Sequence, residues 1–338
     1  MLTLVFSVLI FGLLIGVHEA GHLISAKKCG VLVHEFSIGM GPKLFSFKKG
    51  ETLYSLRLIP IGGFCNMEGE DGESESPKAF CNKHPLKKII ILVSGALMNI
   101  LLGFLALCIM FSFLDTLPTT VIDSVLEDAP AYTQGLKPGD KILKVNGKRI
   151  FVKTDIDTQL YFSKNDDITL TVERNGTRQE ITVTPYLNNE SRMIGITLLQ
   201  EDNNFFRLIS FSFRYMISIC STVLMTLGML ITGAVSFKET SGPVGIVTAI
   251  GQAATGAVDM YMLLNILNIT ALITINLGMF NLIPLPALDG GRVVFALIEL
   301  ITGKKVSGKV EGYVHGIGML ALLALMVFVT YNDVLRLL

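Results

Sequence analysis

Residues 2–26 form a mostly apolar run long enough to cross a bilayer, yet His18-Glu19-Ala20-Gly21-His22 lies inside it. Length and hydropathy fix the local structure. The hydrocarbon core offers no water, so a lone spanning stretch must satisfy its own backbone polar groups and folds as a helix. Helix positions four apart share a face, which puts both imidazoles one turn apart, where they can grip one Zn²⁺. The glutamate between them is then placed to take a proton from a water activated by such an ion. Ionisable residues at this depth are expensive and functional by default. The motif is the toolkit of a metalloprotease. A chance match in a chain this long is on the order of one per cent by average residue usage. A cleaved signal peptide has the opposite polarity: residues 2–17 carry no charge, and Lys27 and Lys28 follow the apolar run. A satisfied pair of core histidines is the remaining alternative, and a third ligand elsewhere decides against it.

Composition supports a membrane protein. Of 338 residues 51% are hydrophobic and only 17% charged, with a mean hydropathy of +0.57, less charge than ordinary soluble domains carry. Net charge is zero, so there is no electrostatic case for a nucleic-acid partner. Cys29, Cys65, Cys81, Cys108 and Cys220 include no Cys-x-x-Cys pair, which argues against a disulfide framework and a thiolate zinc site.

Three further segments reach the roughly 20 apolar residues a span needs: 89–114, 263–300 with an interruption, and 312–330. Ten lysines and arginines, from Lys27 to Lys88, fall between the first two spans, and Lys304, Lys305 and Lys309 between the last two. The positive-inside rule puts both loops in the cytoplasm, and both termini and residues 115–262 outside. Residues 210–235 are apolar enough for a fifth span. Ser218, Ser221, Thr222, Thr226 and Thr232 recur there at helical spacing, opposite Met, Leu and Ile, which favours an amphipathic helix lying in the membrane interface.

The third span is broken at Asn281-Leu282-Ile283-Pro284-Leu285-Pro286-Ala287-Leu288-Asp289-Gly290-Gly291. Each proline deletes a backbone donor and clashes with the preceding turn. Irregular backbone at membrane depth is tolerated only where protein or a watery cavity surrounds it. Asp289 is the one acidic residue between Asp259 and Glu299. A carboxylate is an ordinary third zinc ligand and leaves the fourth position for water; capping the next helix is a compatible second role.

His18-Glu19-x-x-His22 and Asn281-x-x-Pro284-x-Pro286-x-Leu288-Asp289-Gly290 together resemble the site-2 protease family of intramembrane zinc metalloproteases, in its bacterial regulator-of-sigma-E type. Phe36-Ser37-Ile38-Gly39-Met40-Gly41-Pro42, Pro60-Ile61-Gly62-Gly63-Phe64 and Ser241-Gly242-Pro243-Val244-Gly245 extend the similarity over nearly the whole chain. The resemblance implies one Zn²⁺ per chain held by His18, His22 and Asp289. It implies Glu19 as general base and later proton donor, and a substrate-handling role for Asn281, Pro284 and Pro286. It also implies that the strand-like stretch 32–64, turning at Lys48-Lys49-Gly50-Glu51, is a sheet dipping into the membrane beside the metal. There an unwound substrate could add as a further strand. Residues 130–147 resemble the turn-and-strand core of a PDZ domain, present in one copy, with Asn175-Gly176 as a hairpin turn between closing strands. Such a domain would bind a peptide or act as a steric filter against bulky ectodomains. Glu68 to Glu73 reads as a solvated acidic loop without calcium-ligand spacing.

The expected fold is therefore an α-helical polytopic membrane protein of four transmembrane helices, the third broken, with a membrane-associated β-hairpin and an inserted extracytoplasmic α+β PDZ domain. The expected division is 1–114, first half of the protease core; 115–187, PDZ domain; 188–262, linker with the interfacial helix; 263–338, second half of the core. The expected activity is hydrolysis within or near the transmembrane segments of single-pass proteins in a bacterial plasma membrane, with the active site towards the cytoplasm. By resemblance the substrates would be anti-sigma factors already trimmed by a site-1-type protease, or signal-peptide remnants. The rivals are a membrane PDZ adaptor with an inactive zinc site and a metal transporter. A transporter needs several intramembrane carboxylates, and only Glu19, Asp289 and Glu299 are candidates.

Overall fold

A computed structural model describes residues 2–70, 72–163, 167–188, 191–236, 242–255 and 259–337, with Leu2, Ile61 and Leu337 as backbone only. Asp71 of the acidic loop and Ser241 of the Ser-Gly-Pro motif lie outside the described residues. In chain order the elements begin with α1 (Leu2–Lys28), β1 (Val33–Lys49), β2 (Thr52–Met67) and α2 (Pro85–Ser112). A mainly β stretch follows: β3 (Thr116–Val125), α3 (Pro130–Thr133), β4 (Lys141–Val145), β5 (Lys148–Arg149), α4 (Lys153–Phe162), β6 (Ile168–Arg174), β7 (Thr177–Val183), β8 (Tyr186–Asn188), β9 (Ser191–Met193) and β10 (Ile196–Asp202). Five helices complete the chain: α5 (Phe205–Ile231), α6 (Pro243–Ala253), α7 (Met260–Leu282), α8 (Asp289–Thr302) and α9 (Gly308–Leu337). Two compact units result, one of Met1–Ala106 with Met229–Leu338, the other of Leu107–Gly228.

In the first unit small residues let helices approach closely, as expected where no hydrophobic force separates helix from lipid. A Cβ on Gly21 of α1 would stand 2.5 Å from Ser94 O of α2, and one on Gly278 of α7 would stand 2.8 Å from Ala96 O. Ser25 and Ser94 hydrogen-bond across the first crossing at 2.7 Å, and Thr274 Oγ1 donates to Asn99 O across the second at 3.1 Å. Beside α1, β1 and β2 each bend and pair antiparallel in more than one place, so that their segments lie in the order 43–49, 52–57, 33–38, 63–67. The base of this sheet seals a core of Leu23, Val33, Cys65, Met67, Phe80 and Ile91. Further out Leu44, Phe45, Phe47, Leu58 and Ile59 stand exposed, a patch that water would penalise.

The span with the proline motif is two helices. Asp259 caps α7, accepting from Met262 N at 3.0 Å. The chain leaves helical geometry at Ile283 and re-enters it at Asp289. By length and composition α1, α2, α5, α7 and α9 could each cross a membrane. The helix α9 runs past the apolar stretch 312–330 to a buried Asp333, which accepts from Gly242 N at 3.1 Å and Gly245 N at 2.8 Å. Its carboxylate thus caps α6.

The second unit is built around a sheet ordered β10-β3-β4-β6-β7, with β5 on β4. Alternation drives it: Ile168, Leu170 and Val172 of β6 point inward and are fully buried, joined by Ile142, Val145, Ile156 and Val183. The β6–β7 turn is Asn175-Gly176, with φ of +49° and +77°, the left-handed pair a tight hairpin requires. Asp140 accepts from Arg174 Nε and Nη2 at 2.6 and 2.7 Å and from Lys137 N at 3.0 Å. This ties down the Gly135–Asp140 turn. Burial pushes the Asp140 carboxyl up, but the Arg174 fork and the Lys137 N–H outweigh it and hold it below the usual carboxylate range. The polar stripe of α5 has a partner that spacing alone does not reveal. Ser218 is buried and donates to Asp155 of α4, Gln159 Nε2 donates to Met225 Sδ at 3.3 Å, and Phe111 packs edge-on to Phe211 and Tyr215.

Candidate metal centre

His18 and His22 stand one turn apart on α1 with Nε2 atoms 3.2 Å apart. Gly95 of α2 makes this possible, since a Cβ there would fall on His22 Nε2 and His18 Cε1. The other nitrogen of His22 lies 2.9 Å from Ile91 O. A carbonyl can only accept, so Nδ1 carries the proton and Nε2 turns its lone pair inward. Asn281 at the end of α7 sets its amide 3.5 Å from His18 Nδ1. On the third side is Asp289, whose Oδ2 lies 3.2 Å from His18 Nε2 and 3.4 Å from His22 Nε2.

These three donors form a nearly equilateral triangle. A tetrahedral ion with bonds of about 2.05 Å spreads its ligand atoms about 3.3 Å apart, since each edge is about 1.63 bond lengths. Asp289 Oδ2 is buried and accepts no hydrogen bond among the described residues. Three lone pairs aimed at one point repel unless a cation lies between them, so the donor set fits zinc in both type and spacing. Among the described residues it is the one group of three or more such side chains that could hold a metal.

Glu19, beside His18, has the backbone N–H of Cys65 on β2 as a hydrogen-bond partner. Its Cγ lies where a Cβ on Gly63 would come within 3.3 Å. The hairpin therefore supports the glutamate. Asp289 is the first residue of α8, an end where the helix dipole favours a carboxylate. Pro284 is exposed and Pro286 rests against Gly318 of α9. Ala287 between Pro286 and Asp289 has φ +74°, which costs a non-glycine residue roughly 1–3 kcal/mol. Cβ atoms on Gly290 or Gly291 would collide with the carbonyls of Ile283 and Leu285, so the first turn of α8 is pressed against its own entry loop.

Several contacts at this site are invisible in the sequence pattern. Arg292 pairs with Glu70 at 2.5 Å, and Lys88 of α2 pairs with Glu299 of α8 at 2.7 Å, both nearly buried. Next to α8 and α9 lies a cavity of about 840 Å³, bordered by Glu70, Lys88, Arg292, Phe295, Glu299 and His315.

Residues 6–325 match the family model described as peptidase family M50. The chain belongs to peptidase family M50. It is a multi-pass membrane metalloprotease of the site-2 protease family. A candidate zinc metalloprotease of Clostridium acetobutylicum is 37% identical over 98% of this chain and 97% of its own length. One of Fusobacterium nucleatum is 36% identical over 99% of each, and one of Staphylococcus aureus is 29% identical over 99% of each.

Proposed function

We propose that the chain is an intramembrane endopeptidase with one Zn²⁺ per chain, held by His18, His22 and Asp289, that cleaves single-pass proteins within or near their transmembrane segments. The observation that carries this is the donor triangle, with edges of 3.2, 3.2 and 3.4 Å. When bound, zinc supplies Lewis acidity and brings the pKa of water towards neutrality. The carboxylate of Glu19 accepts the proton of the attacking water and returns a proton to the leaving amine. The Cys65 N–H steadies that carboxylate, and Ile91 O keeps His22 in the tautomer with Nε2 free. Asn281, whose Nδ2 lies 3.5 Å from His18 Nδ1, is assigned to substrate handling. Pro284 and Pro286 keep the segment before Asp289 out of a helix.

A helical substrate hides its carbonyls in hydrogen bonds and must unwind first. In the sheet of β1 and β2 the segment 43–49 is paired on one side only among the described residues, and an unwound segment could pair with that edge. Loop charge supports a cytoplasmic approach for water, with the sheet domain from β3 to β10 outside as a single PDZ-like domain. Four spans fit α5 better than five. One face of α5 bonds to the sheet domain through Ser218 and Met225, while Phe206, Phe213, Leu224 and Ile231 are exposed. A helix laid between a polar domain and a bilayer surface has those two faces. Anti-sigma factors trimmed by a site-1-type protease, or signal-peptide remnants in a bacterial plasma membrane, are the substrates this family membership suggests.

The test compares membrane fragments by proteomics in cells carrying the wild type or Glu19→Gln. Transmembrane stubs should accumulate in the variant while purified protein keeps its zinc. A variant that retains zinc with no change in any stub would indicate an adaptor.

A further inference from the structure

The loop that delivers Asp289 is held from outside by a helix that supplies none of the three donors. Ala287, two residues before Asp289, has φ +74°, a state an alanine keeps only when its surroundings impose it. Its backbone N–H donates to His315 Nδ1 of α9 at 2.9 Å. One turn further along α9, Gly318 lies so near Pro286 that an added Cβ would come within 2.9 Å of the proline carbonyl. Phe295 of α8 flanks the same imidazole, with ring centroids 5.7 Å apart. His315 therefore touches the loop before Asp289 and the helix after it.

We propose that His315 is a positioning residue for the metal centre: by accepting from Ala287 N–H it fixes the left-handed turn, and through that turn the direction of the Asp289 carboxylate. The inference rests on the zinc assignment above. What the position requires is an acceptor at the Nδ1 site. Asparagine can place its Oδ1 close to where Nδ1 stands, whereas glutamine reaches towards Nε2 and leucine offers nothing. Glycine at 287 would hold the left-handed state unaided.

The test uses full-length protein in detergent. Zinc affinity is measured by competition with a chromophoric chelator, the donor geometry by the visible spectrum of the cobalt-substituted protein, and folding by thermal melting. His315→Leu should weaken zinc binding by about 10–100-fold, the range seen when a metal ligand loses its supporting contact, and should change the cobalt spectrum. His315→Asn should stay close to wild type. Adding Ala287→Gly to His315→Leu should restore most of the affinity, which a merely structural role for the histidine does not predict. If His315→Leu does not fold, His315→Gln carries the same contrast. Folded Leu or Gln variants with wild-type affinity and spectrum overturn the proposal, as does an Asn variant as weak as Leu. A wild-type protein that takes up no zinc overturns the zinc assignment and this inference with it.

Discussion

The two compact units handle one carboxylate each, Asp140 and Asp289, in opposite ways. In the unit of Leu107–Gly228, Asp140 is fully buried and its carboxylate is met by Arg174 and Lys137 N–H. In the other unit His18, His22 and Asp289 converge on one point, and Asp289 Oδ2 accepts no hydrogen bond among the described residues. A satisfied buried charge locks a turn in place. A convergent set with one orphaned acceptor stores binding capacity, because such an acceptor is costly until something meets it.

The largest effects should fall on the convergent donors. Glu19→Gln is expected to lower cleavage by about 10²–10⁴-fold with zinc retained. Asp289→Ala should lose both zinc and cleavage, read by metal analysis and by a model transmembrane substrate. Neither should change the melting of the sheet unit. If either did, the energetic contrast between the units would be broken.

Next in size is Asp140→Ala, which leaves Arg174 only Gly135 O as a partner among these contacts and should destabilise the sheet unit by roughly 3 kcal/mol, with zinc content unchanged. Hydrogen exchange in β4 and β6 would report it. Because the folded Asp140 carboxyl is held below its usual range, its contribution is complete above the unfolded value near 3.9 and disappears as pH falls through the lower folded value. Acid should therefore soften the wild-type sheet unit in that window and leave Asp140→Asn less sensitive to pH.

Gly95→Ala places a methyl group against both imidazoles. Overpacking of that kind costs about 1–3 kcal/mol, expected here as faster zinc loss to a chelator. The smallest effect is Ser218→Ala, which removes the α5 donor to Asp155 and should cost about 1 kcal/mol, seen as faster exchange in α4. A silent Ser218→Ala would mean that the polar stripe of α5 serves something other than this contact.

How much of this was legible in the sequence follows from range. The i, i+4 spacing of His18 and His22 and the prolines before Asp289 are local signals, and the structure brings these residues together. The Asn175-Gly176 turn and the alternation in β6 were equally local. What could not be read is what arrives from far away. Ile91 O, Cys65 N–H and His315 have no spacing relative to the motifs they contact. Likewise β10 pairs with β3, seventy or more residues earlier. The stripe of α5 was visible as a pattern, but its packing against α4 was not. The apolar run of α9 fades before Asn332 and Asp333, so the pattern gives no sign that Asp333 is a buried carboxylate that caps α6.

The donors also differ in when they are made. Both histidines and α2, which holds His22 through Ile91, belong to the first 112 residues, whereas Asp289 follows some 180 residues later. A ribosome that stalls anywhere in between releases a product with two donors and no third. Such a truncated chain would reach the bilayer without an assembled centre, so aborted synthesis would not leave a loose protease in the membrane.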